Sequence, residues 1–404
     1  MMADPEKPDR LFPVLVALCV VLPALVYLGK GVVENLLVAG PGLENIAGTV
    51  AGSDFVGFYA AGRIANADGA AATYDEARHY AAVAEVAGRE FDLPWFYPPS
   101  FLLIIAPLAA LPYLPALWIW VVAQAALAGA AIWRIAPHPA APALALLFPG
   151  MAHNTFAAQN GALTAALIGF GMGALPTRPW LAGFFFGLIS YKPHLAMLIP
   201  ICLLAGRHFR ALAAMIVTGI ALALLGLAVF GFDAWVAFVI QISGGVGADS
   251  LSELRWSRMP SVIIAVYHAT AAYGLAATVQ GVVSLFSAAA CAWIWWRSDD
   301  IALRALALCA GTFLTTPWIY DYDLAIFVVP LAFIAWQAYR HGRDLETSAV
   351  MAMLWVGPFL VLILSHALDQ QVGPLFAAAV MAYALARAAR SATAGPIPIA
   401  ASEK

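Results

Sequence analysis

The chain has 404 residues, of which 63% are hydrophobic and 11% charged, and its formal net charge is −3. Because soluble domains carry about 25% charged residues, this composition excludes a soluble globular protein of the same length. No basic tract suggests nucleic-acid binding. The four cysteines all lie in apolar runs, which favours simple packing over a disulfide framework or a metal site.

In chain order, apolar segments recur from Leu11 to Ala389. They predict an all-α polytopic membrane protein with about 10–13 passes, since one crossing needs ~20 residues. A polar stretch interrupts segment 142–175, and Pro193 interrupts the apolar run around it; broken helices are tolerated where protein encloses them. The predicted spans are 11–29, 98–111, 113–133, 142–175, 179–191, 194–206, 211–230, 261–272, 275–296, 301–316, 323–339, 347–365 and 372–390.

The short loops that carry arginine predict the cytoplasmic side of the membrane. One set of arginines falls at alternate ends of the spans and follows this rule, whereas Arg134 falls on the opposite side. This set comprises Arg178, Arg207 with Arg210, Arg297 with Arg304, Arg340 with Arg343, and Arg387 with Arg390. The outward side then carries a first outer loop, residues 30–97, and a second outer loop, residues 231–260.

The chain is predicted to form a single transmembrane domain over residues 1–390, with a disordered cytoplasmic tail over 391–404 that is rich in Ala, Pro and Ser. Leu11–Leu28 is predicted to be a retained first helix, because no small-residue cleavage site follows it closely. Two amphipathic helices, 53–66 and 73–88, are expected in the first outer loop, lying flat on the outer leaflet.

Asp54 is a carboxylate that stands beside the membrane in a chain that otherwise avoids charge. A carboxylate at an apolar surface loses part of its hydration, which suits it to act as a general base. The alternative is that Ser53 or Asp54 caps the helix that follows, and the two roles can coexist.

Three polar positions lie within or beside apolar sequence at Tyr97, Gln159 and Asn160. The Tyr97-Pro98-Pro99 motif is typical of a helix start with an interfacial aromatic belt. The two amides need hydrogen-bond partners at membrane depth. They could bind sugar hydroxyls or cap the following half-helix, and the sequence leaves both possibilities open.

Lys192 lies in the middle of an apolar stretch, just before a proline and His194. An ionisable residue within the membrane is a candidate functional residue. The phosphate of a lipid carrier would be a fitting counter-charge. The alternative is a structural ion pair with a buried carboxylate such as Asp321 or Asp323.

The outer end near residue 320 combines two carboxylates with aromatic side chains at Trp318, Tyr320, Asp321 and Asp323. Carboxylates bind sugar hydroxyls and aromatic rings stack on pyranose rings, although an interfacial belt with solvated carboxylates explains the cluster equally well. Arg255 and Arg258 of the second outer loop could bind phosphate or contact lipid headgroups. We predict no metal site.

A series of short motifs follows in a fixed order along the chain. They are Ser53-Asp54-Phe55 through Ala61, Tyr74-Asp75, Phe96-Tyr97-Pro98-Pro99 with Ala106-Pro107-Leu108, Gln159-Asn160-Gly161, Ala182-Gly183 through Lys192-Pro193-His194, and Pro317 through Asp323. Taken together, these motifs resemble glycosyltransferase family 87, the polyprenol-phosphate-mannose-dependent mannosyltransferases, over roughly residues 10–390. One departure is Trp318, where members of the family often carry histidine.

The resemblance implies a GT-C-type fold in a bacterial inner membrane, with a periplasmic active site and an inverting transfer that needs no cofactor. Asp54 would be the base, and Lys192, Arg255 and Arg258 would bind the donor phosphate. The implied partners are a polyprenyl-phosphate sugar donor, a lipid or glycan acceptor, and membrane lipids. The residues that would contact sugar or acceptor are Tyr59, Tyr97, Gln159, Asn160, His194, Trp318, Tyr320, Asp321 and Asp323.

Two other functions are consistent with the composition. A transporter or flippase for a lipid-linked sugar would also need a polar cavity with cations for phosphate. A non-catalytic membrane scaffold would not require a lysine at membrane depth. The long first outer loop with its acidic residue favours the enzyme, because a transporter has no obvious use for it.

Overall fold

The computed structural model describes residues 20–91, 93–243 and 256–393. Helices dominate these residues, and the only β-pairing among them is two isolated bridges between residues 38 and 50. The predicted all-α membrane architecture is therefore confirmed. The first part of the chain forms α1 (Leu22–Leu36), α2 (Phe55–Asp68), α3 (Glu76–Ala87), α4 (Pro99–Leu108), α5 (Tyr113–Ile135), α6 (Ala140–Leu147), α7 (Pro149–Ala157), α8 (Gly161–Ala174) and α9 (Pro179–Leu188).

The second part continues with α10 (Pro193–Ala196), α11 (Leu198–Ala205), α12 (Phe209–Ser243), α13 (Val262–Thr270), α14 (Tyr273–Arg297), α15 (Ile301–Thr315), α16 (Val328–His341), α17 (Leu345–Ala367) and α18 (Gly373–Thr393). Short 3-10 turns occupy Ala70–Tyr74, Ile189–Tyr191, Trp256–Arg258 and Asp321–Phe327.

Five helical units in the described residues are long and apolar enough to cross a membrane. They are α5, α12, α14, α17 and the unit Asp321–His341, in which a 3-10 turn leads into α16. Five shorter apolar units, such as α4 and α8, accompany them. The predicted passes therefore divide into long helices and segments too short to cross alone.

Both predicted helix breaks are present. The stretch after α5 divides into α6, α7 and α8, and Ala158 takes a left-handed conformation (φ 51°) between the last two. The backbone groups freed by this break find partners. Trp120 Nε1 donates to the Ala158 carbonyl at 2.9 Å, and the backbone amide of Gln159 donates to the Asn154 backbone carbonyl at 3.0 Å. Such compensation is what a break at membrane depth requires.

Small residues bring helices α9 and α12 into close contact. A Cβ atom at Gly183 would overlap the Ala211 carbonyl oxygen, and one at Gly187 would lie 2.7 Å from the Met215 carbonyl oxygen. Glycine allows this approach because van der Waals packing, rather than the hydrophobic effect, holds helices together in a bilayer.

The first outer loop differs from the expectation of two surface helices. Helix α2 is buried at every residue from Phe55 to Gly62, so it lies inside the protein rather than flat on a leaflet. Its sequence is apolar or small around most of its circumference, and such a helix is buried on all sides. Helix α3 is amphipathic as predicted, because its buried residues His79, Val83 and Ala87 recur every fourth position.

Two other expectations are modified. Helix α12 continues through the predicted start of the second outer loop to Ser243, with a break in helical geometry at Gly231 (φ 81°). Arg134 lies at the same end of the bundle as Arg178, since its neighbour Ile135 packs against Gly173 of α8. The apparent exception to the arginine pattern arose because the broken segment 142–175 was counted as one pass, whereas the chain leaves this end through α6 and α7 and returns to it in α8. The proposed tail begins inside α18, and its residues after Thr393 lie outside the described ranges.

Candidate active site

Several polar residues singled out in the sequence lie close together in the structure, and each stands where a helix or a 3-10 turn begins or ends. Asp54 precedes α2, Asn160 precedes α8, and Lys192 precedes α10. Arg258 closes one 3-10 turn and Asp321 opens another. The core of the candidate site is therefore built from helix ends that come from distant parts of the chain.

Arg258 bridges two carboxylates. Its Nη1 and Nη2 atoms donate to Asp54 Oδ1 and Oδ2 at 3.4 and 3.3 Å. Its Nε and Nη2 atoms donate to Asp321 Oδ2 and Oδ1 at 3.2 and 3.3 Å. A planar guanidinium makes such paired contacts with carboxylates, which a lysine could not reproduce. Burial alone would lower the pKa of Arg258, but the two carboxylates outweigh it and raise that pKa well above its usual range.

The side chain of Asp54 does not cap α2, and Asp54 itself already has helical backbone angles. Its backbone amide donates to the Ala157 carbonyl at 3.0 Å, which fixes it beside the break between α7 and α8. The sequence left open whether Asp54 acts as a base or as a helix cap. In the structure its carboxylate makes no capping bond and is paired with Arg258.

Lys192 forms the ion pair that was the alternative to phosphate binding. Its Nζ atom donates to Asp323 Oδ1 at 2.5 Å and to Asn160 Oδ1 at 3.2 Å. The side chains of Lys192 and Asp323 are only 3% and 0% exposed. The other carboxylate oxygen of Asp323 accepts from the Tyr320 backbone amide at 3.2 Å. A direct role of Lys192 in phosphate binding stays a prediction.

Tyr322 lies close to the cations of both ion-pair groups. Its ring lies 4.8 Å from Lys192 Nζ and 5.8 Å from Arg258 Cζ, and both cations lie over its face. Tyr320 stacks on the same ring with an interplanar angle of 4° and centroids 5.3 Å apart. This central tyrosine was missed in the sequence, where its position between two aspartates was the available signal.

The predicted amide pair joins this network through Tyr97. Asn160 Nδ2 donates to the Tyr97 hydroxyl at 2.9 Å, and that hydroxyl donates to Gln159 Oε1 at 3.4 Å. Tyr97 is therefore part of the buried polar network and not simply an interfacial belt residue. Asn160 also accepts at its carbonyl from the hydroxyl of Tyr191, a residue that the sequence analysis did not single out for this role.

Four predicted residues lie elsewhere or differ in role. The Tyr59 hydroxyl donates to the Leu111 carbonyl at 2.7 Å, so it holds the turn after α4. His194 presents its backbone carbonyl to Thr316 Oγ1 at 3.1 Å. Trp318 is half-buried against a small apolar cluster around Met259. Arg255 lies outside the described residues.

The core of the site carries three carboxylates, Asp54, Asp321 and Asp323, against the cations Lys192 and Arg258. Arg258 is the most open of the five, with 25% of its side chain exposed. In the described ranges, no three His, Cys, Asp or Glu side chains are arranged to hold a metal ion. The expected absence of a metal site stays a prediction.

A groove of about 670 Å³ lies between the ends of α2 and α4 and the part of α12 just before Gly231. Arg63 and Asn66 line it together with apolar residues such as Leu103 and Phe230. None of the charged residues described above lines this groove. It therefore does not mark the reacting centre.

Comparison with known proteins matches residues 95–317, more than half of the chain, to glycosyltransferase family 87. The matched segment contains Tyr97, Lys192 and Arg258, whereas Asp54 precedes it and Asp321 follows it. No curated protein and no solved structure matches the chain. The family is of the GT-C type. The chain therefore belongs to glycosyltransferase family 87 and is a membrane glycosyltransferase.

Proposed function

We propose that the enzyme transfers a hexose, with mannose as the first candidate, from a polyprenyl-phosphate-linked donor to a lipid or glycan acceptor, with inversion. The single observation that carries the proposal is the Arg258 guanidinium held between Asp54 and Asp321. Glycosyl transfer from such a donor needs a cation for the departing phosphate and a base for the acceptor hydroxyl. Arg258 and Asp54 bring one of each into direct contact.

The donor phosphate is assigned to Arg258 rather than to Lys192. Lys192 is almost fully buried and is engaged by Asp323, whereas a quarter of the Arg258 side chain is exposed. The guanidinium fork matches the geometry of phosphate oxygens. A phosphate that binds there takes the guanidinium edge, Nη1 and Nη2, that donates to Asp54. Lys192 then adds positive potential from its position 4.8 Å from the centroid of the Tyr322 ring.

Release from Arg258 turns Asp54 into the base. The acceptor hydroxyl oxygen attacks the anomeric carbon from the face opposite the phosphate, and its proton passes to the Asp54 carboxylate. The bond between the anomeric carbon and the phosphate oxygen breaks, and its electron pair leaves with the polyprenyl phosphate. Arg258 stabilises the charge that develops on that oxygen, which is where a fixed cation contributes most.

Polar and aromatic groups beside the core are suited to hold the sugar and the acceptor. Tyr320 and Trp318 are half-buried aromatic residues that pack against the apolar cluster around Met259, the residue after Arg258. Gln159, Asn160 and Tyr97 offer amide and hydroxyl groups beside Lys192. These groups already hydrogen-bond to one another, so they can bind sugar hydroxyls only by giving up some of those bonds.

The periplasmic face is proposed from the distribution of arginine. Arg134 and Arg178 lie at one end of the bundle, and Arg207 follows α11 near the buried Arg304, which contacts His208. Short loops rich in arginine stay cytoplasmic. The Asp54–Arg258 cluster belongs to the other end of the helices, which would face the periplasm of a bacterial inner membrane.

The test uses the purified full-length chain in liposomes with labelled polyprenyl-phosphate mannose and a membrane extract as the source of acceptor. Product analysis by mass spectrometry should find a new mannoside, and Asp54→Asn should abolish it while donor binding persists. Asp233→Asn, which alters an exposed carboxylate on α12, serves as the matched control. Wild-type transfer by Asp54→Asn would remove the base assignment. Movement of the lipid-linked sugar across the bilayer without a glycosidic product would favour a flippase.

A further inference from the structure

The 3-10 turn that presents Arg258 is held by a residue near the far end of the chain. Gln371 lies in the turn between α17 and α18 and is only 4% exposed. Its Nε2 atom donates to the carbonyl oxygens of Trp256 and Ser257 at 3.0 and 3.3 Å. These two carbonyls belong to the residues immediately before Arg258.

The Gln371 side chain is itself fixed from the other side. Its Oε1 atom accepts from Ser365 Oγ at 2.9 Å and from the Gly373 backbone amide at 3.0 Å. Gly373 also lies so close to Pro260 that a Cβ atom there would overlap the proline ring. All four contacts engage the amide group, so its orientation is determined and no other residue type reproduces the pattern.

The same turn is packed from its outer side. The Trp256 ring stacks on His268 of α13 with centroids 4.1 Å apart. His268 Nε2 lies 3.1 Å from the Asp369 carbonyl oxygen, which again belongs to the turn between α17 and α18. The turn between α17 and α18 therefore contacts the Arg258 turn directly through the buried Gln371 amide and indirectly through His268 of α13.

We propose that Gln371 is a positioning residue that sets the Arg258 guanidinium for the donor phosphate, an inference that rests on the function proposed above. Because the Arg258 guanidinium binds two carboxylates and then a phosphate, the backbone of this residue needs to be held to within about 0.5 Å. Gln371 supplies that restraint directly before Arg258. It lies beyond residue 317, so the segment matched to the family does not contain it.

The first measurement is steady-state transfer by Gln371→Met, which keeps the length of the side chain and removes its hydrogen bonds. The donor KM should rise about tenfold, the effect expected from losing one or two net hydrogen bonds, while kcat changes much less. Gln370→Met, the same substitution one residue earlier, should retain the wild-type KM. If Gln371→Met folds poorly, Gln371→Glu keeps both acceptor contacts, removes the donation to Trp256 and Ser257, and should raise KM in the same way.

A double-mutant cycle with Arg258→Lys separates positioning from a general structural role. If Gln371 acts through Arg258, the double variant should have the donor KM of Arg258→Lys alone, because the guanidinium to be positioned is already absent. Effects that multiply, or an unchanged KM in both Gln371 variants, would overturn the inference while leaving the proposed function intact. An unchanged KM in Arg258→Lys itself would instead overturn the assignment of the phosphate site.

Discussion

Asp54 and Arg258 are 204 residues apart in the chain and meet through two hydrogen bonds of 3.4 and 3.3 Å. Both carboxylate oxygens of Asp54 are engaged by this guanidinium, so an acceptor hydroxyl has to compete with Arg258 for them. In the proposed reaction another anion therefore takes part of the Arg258 guanidinium and releases Asp54. The donor phosphate is the anion that the proposed reaction provides.

Replacing Arg258 by lysine should lower the activity far more than is usual for a substitution that keeps the charge. Lysine is a point charge without the planar fork, so it cannot hold Asp54, Asp321 and a phosphate in the same geometry. We expect kcat/KM for transfer to fall by about two orders of magnitude, the range seen when one transition-state contact is removed. Arg89→Lys, at an exposed arginine whose Nη1 donates to the Gly48 carbonyl, is the control. Kinetics within threefold of wild type in Arg258→Lys would contradict the role.

Removing one partner of the buried pair of Lys192 and Asp323 should lower the stability of the protein more than removing both. Lys192→Met leaves a fully buried carboxylate unpaired, which costs about 3–5 kcal/mol. The double variant Lys192→Met with Asp323→Leu should recover most of the lost thermal stability. Thermal unfolding in detergent measures both. A single variant as stable as wild type would show that the pair is not needed for folding.

The same two variants test the predicted phosphate role of Lys192. If the lysine only neutralises Asp323, the double variant should keep the wild-type affinity for polyprenyl phosphate once it is folded. If it contacts the phosphate, affinity should stay low although stability recovers. Equilibrium binding of labelled polyprenyl phosphate gives the answer independently of turnover.

Gly161→Ala should disturb the site through the backbone. A Cβ atom at this position would overlap the Tyr322 carbonyl oxygen, which lies between Asp321 and Asp323. Displacing that segment by a fraction of an ångström moves both carboxylates, so we expect transfer to fall by about tenfold to a hundredfold. Gly281→Ala is the matched control, because Gly281 lies in α14 with no atom near its missing Cβ. Its activity should be unchanged, and equal activity of the two variants would contradict the prediction.

The first outer loop should lose stability as the pH falls below neutrality. Burial lowers the pKa of His79 from its ordinary 6.5 to about 4. Between these values the unfolded chain binds a proton that the folded chain does not, so stability present above pH 6.5 declines as the pH falls and levels off near pH 4. The loss is about 3 kcal/mol at most.

Hydrogen exchange or limited proteolysis of the loop at pH 7 and pH 4.5 measures this effect. His79→Leu should remove most of the pH dependence, whereas His341→Leu, at an exposed histidine, should not. A loop that opens equally at both pH values in the wild-type protein would contradict the explanation.

Much of the fold could be predicted because membrane solvation acts on composition and run length, which are local properties. The breaks at Pro193 and around Gln159 are visible for the same reason. The burial of α2 was not predicted, since a helix in a polar loop was expected to rest on the surface. What decides its position is packing against α4 and the 3-10 turn before α3, and that depends on distant segments.

The residues of the site were easier to predict than their partners. Asp54, Lys192 and Asp323 stood out because charge is expensive in apolar sequence. Which carboxylate pairs with which cation depends on helix ends that meet only in three dimensions, as the contact between Arg258 and Asp321 shows. Gln371 and Tyr322 gave no comparable signal, because an amide near a helix end and a tyrosine between two aspartates are common in any sequence.

The excess of carboxylates over cations in the core has a consequence for turnover. The proposed donor carries one negative charge as a phosphodiester, but the departing polyprenyl phosphate is a monoester that approaches two charges at neutral pH. Once Asp54 has passed its proton to water, it competes again for Arg258 against this product. The Asp54 carboxylate that takes the proton from the acceptor would thereby also help to displace the product. The ion pair between Asp54 and Arg258 would form again as the polyprenyl phosphate leaves.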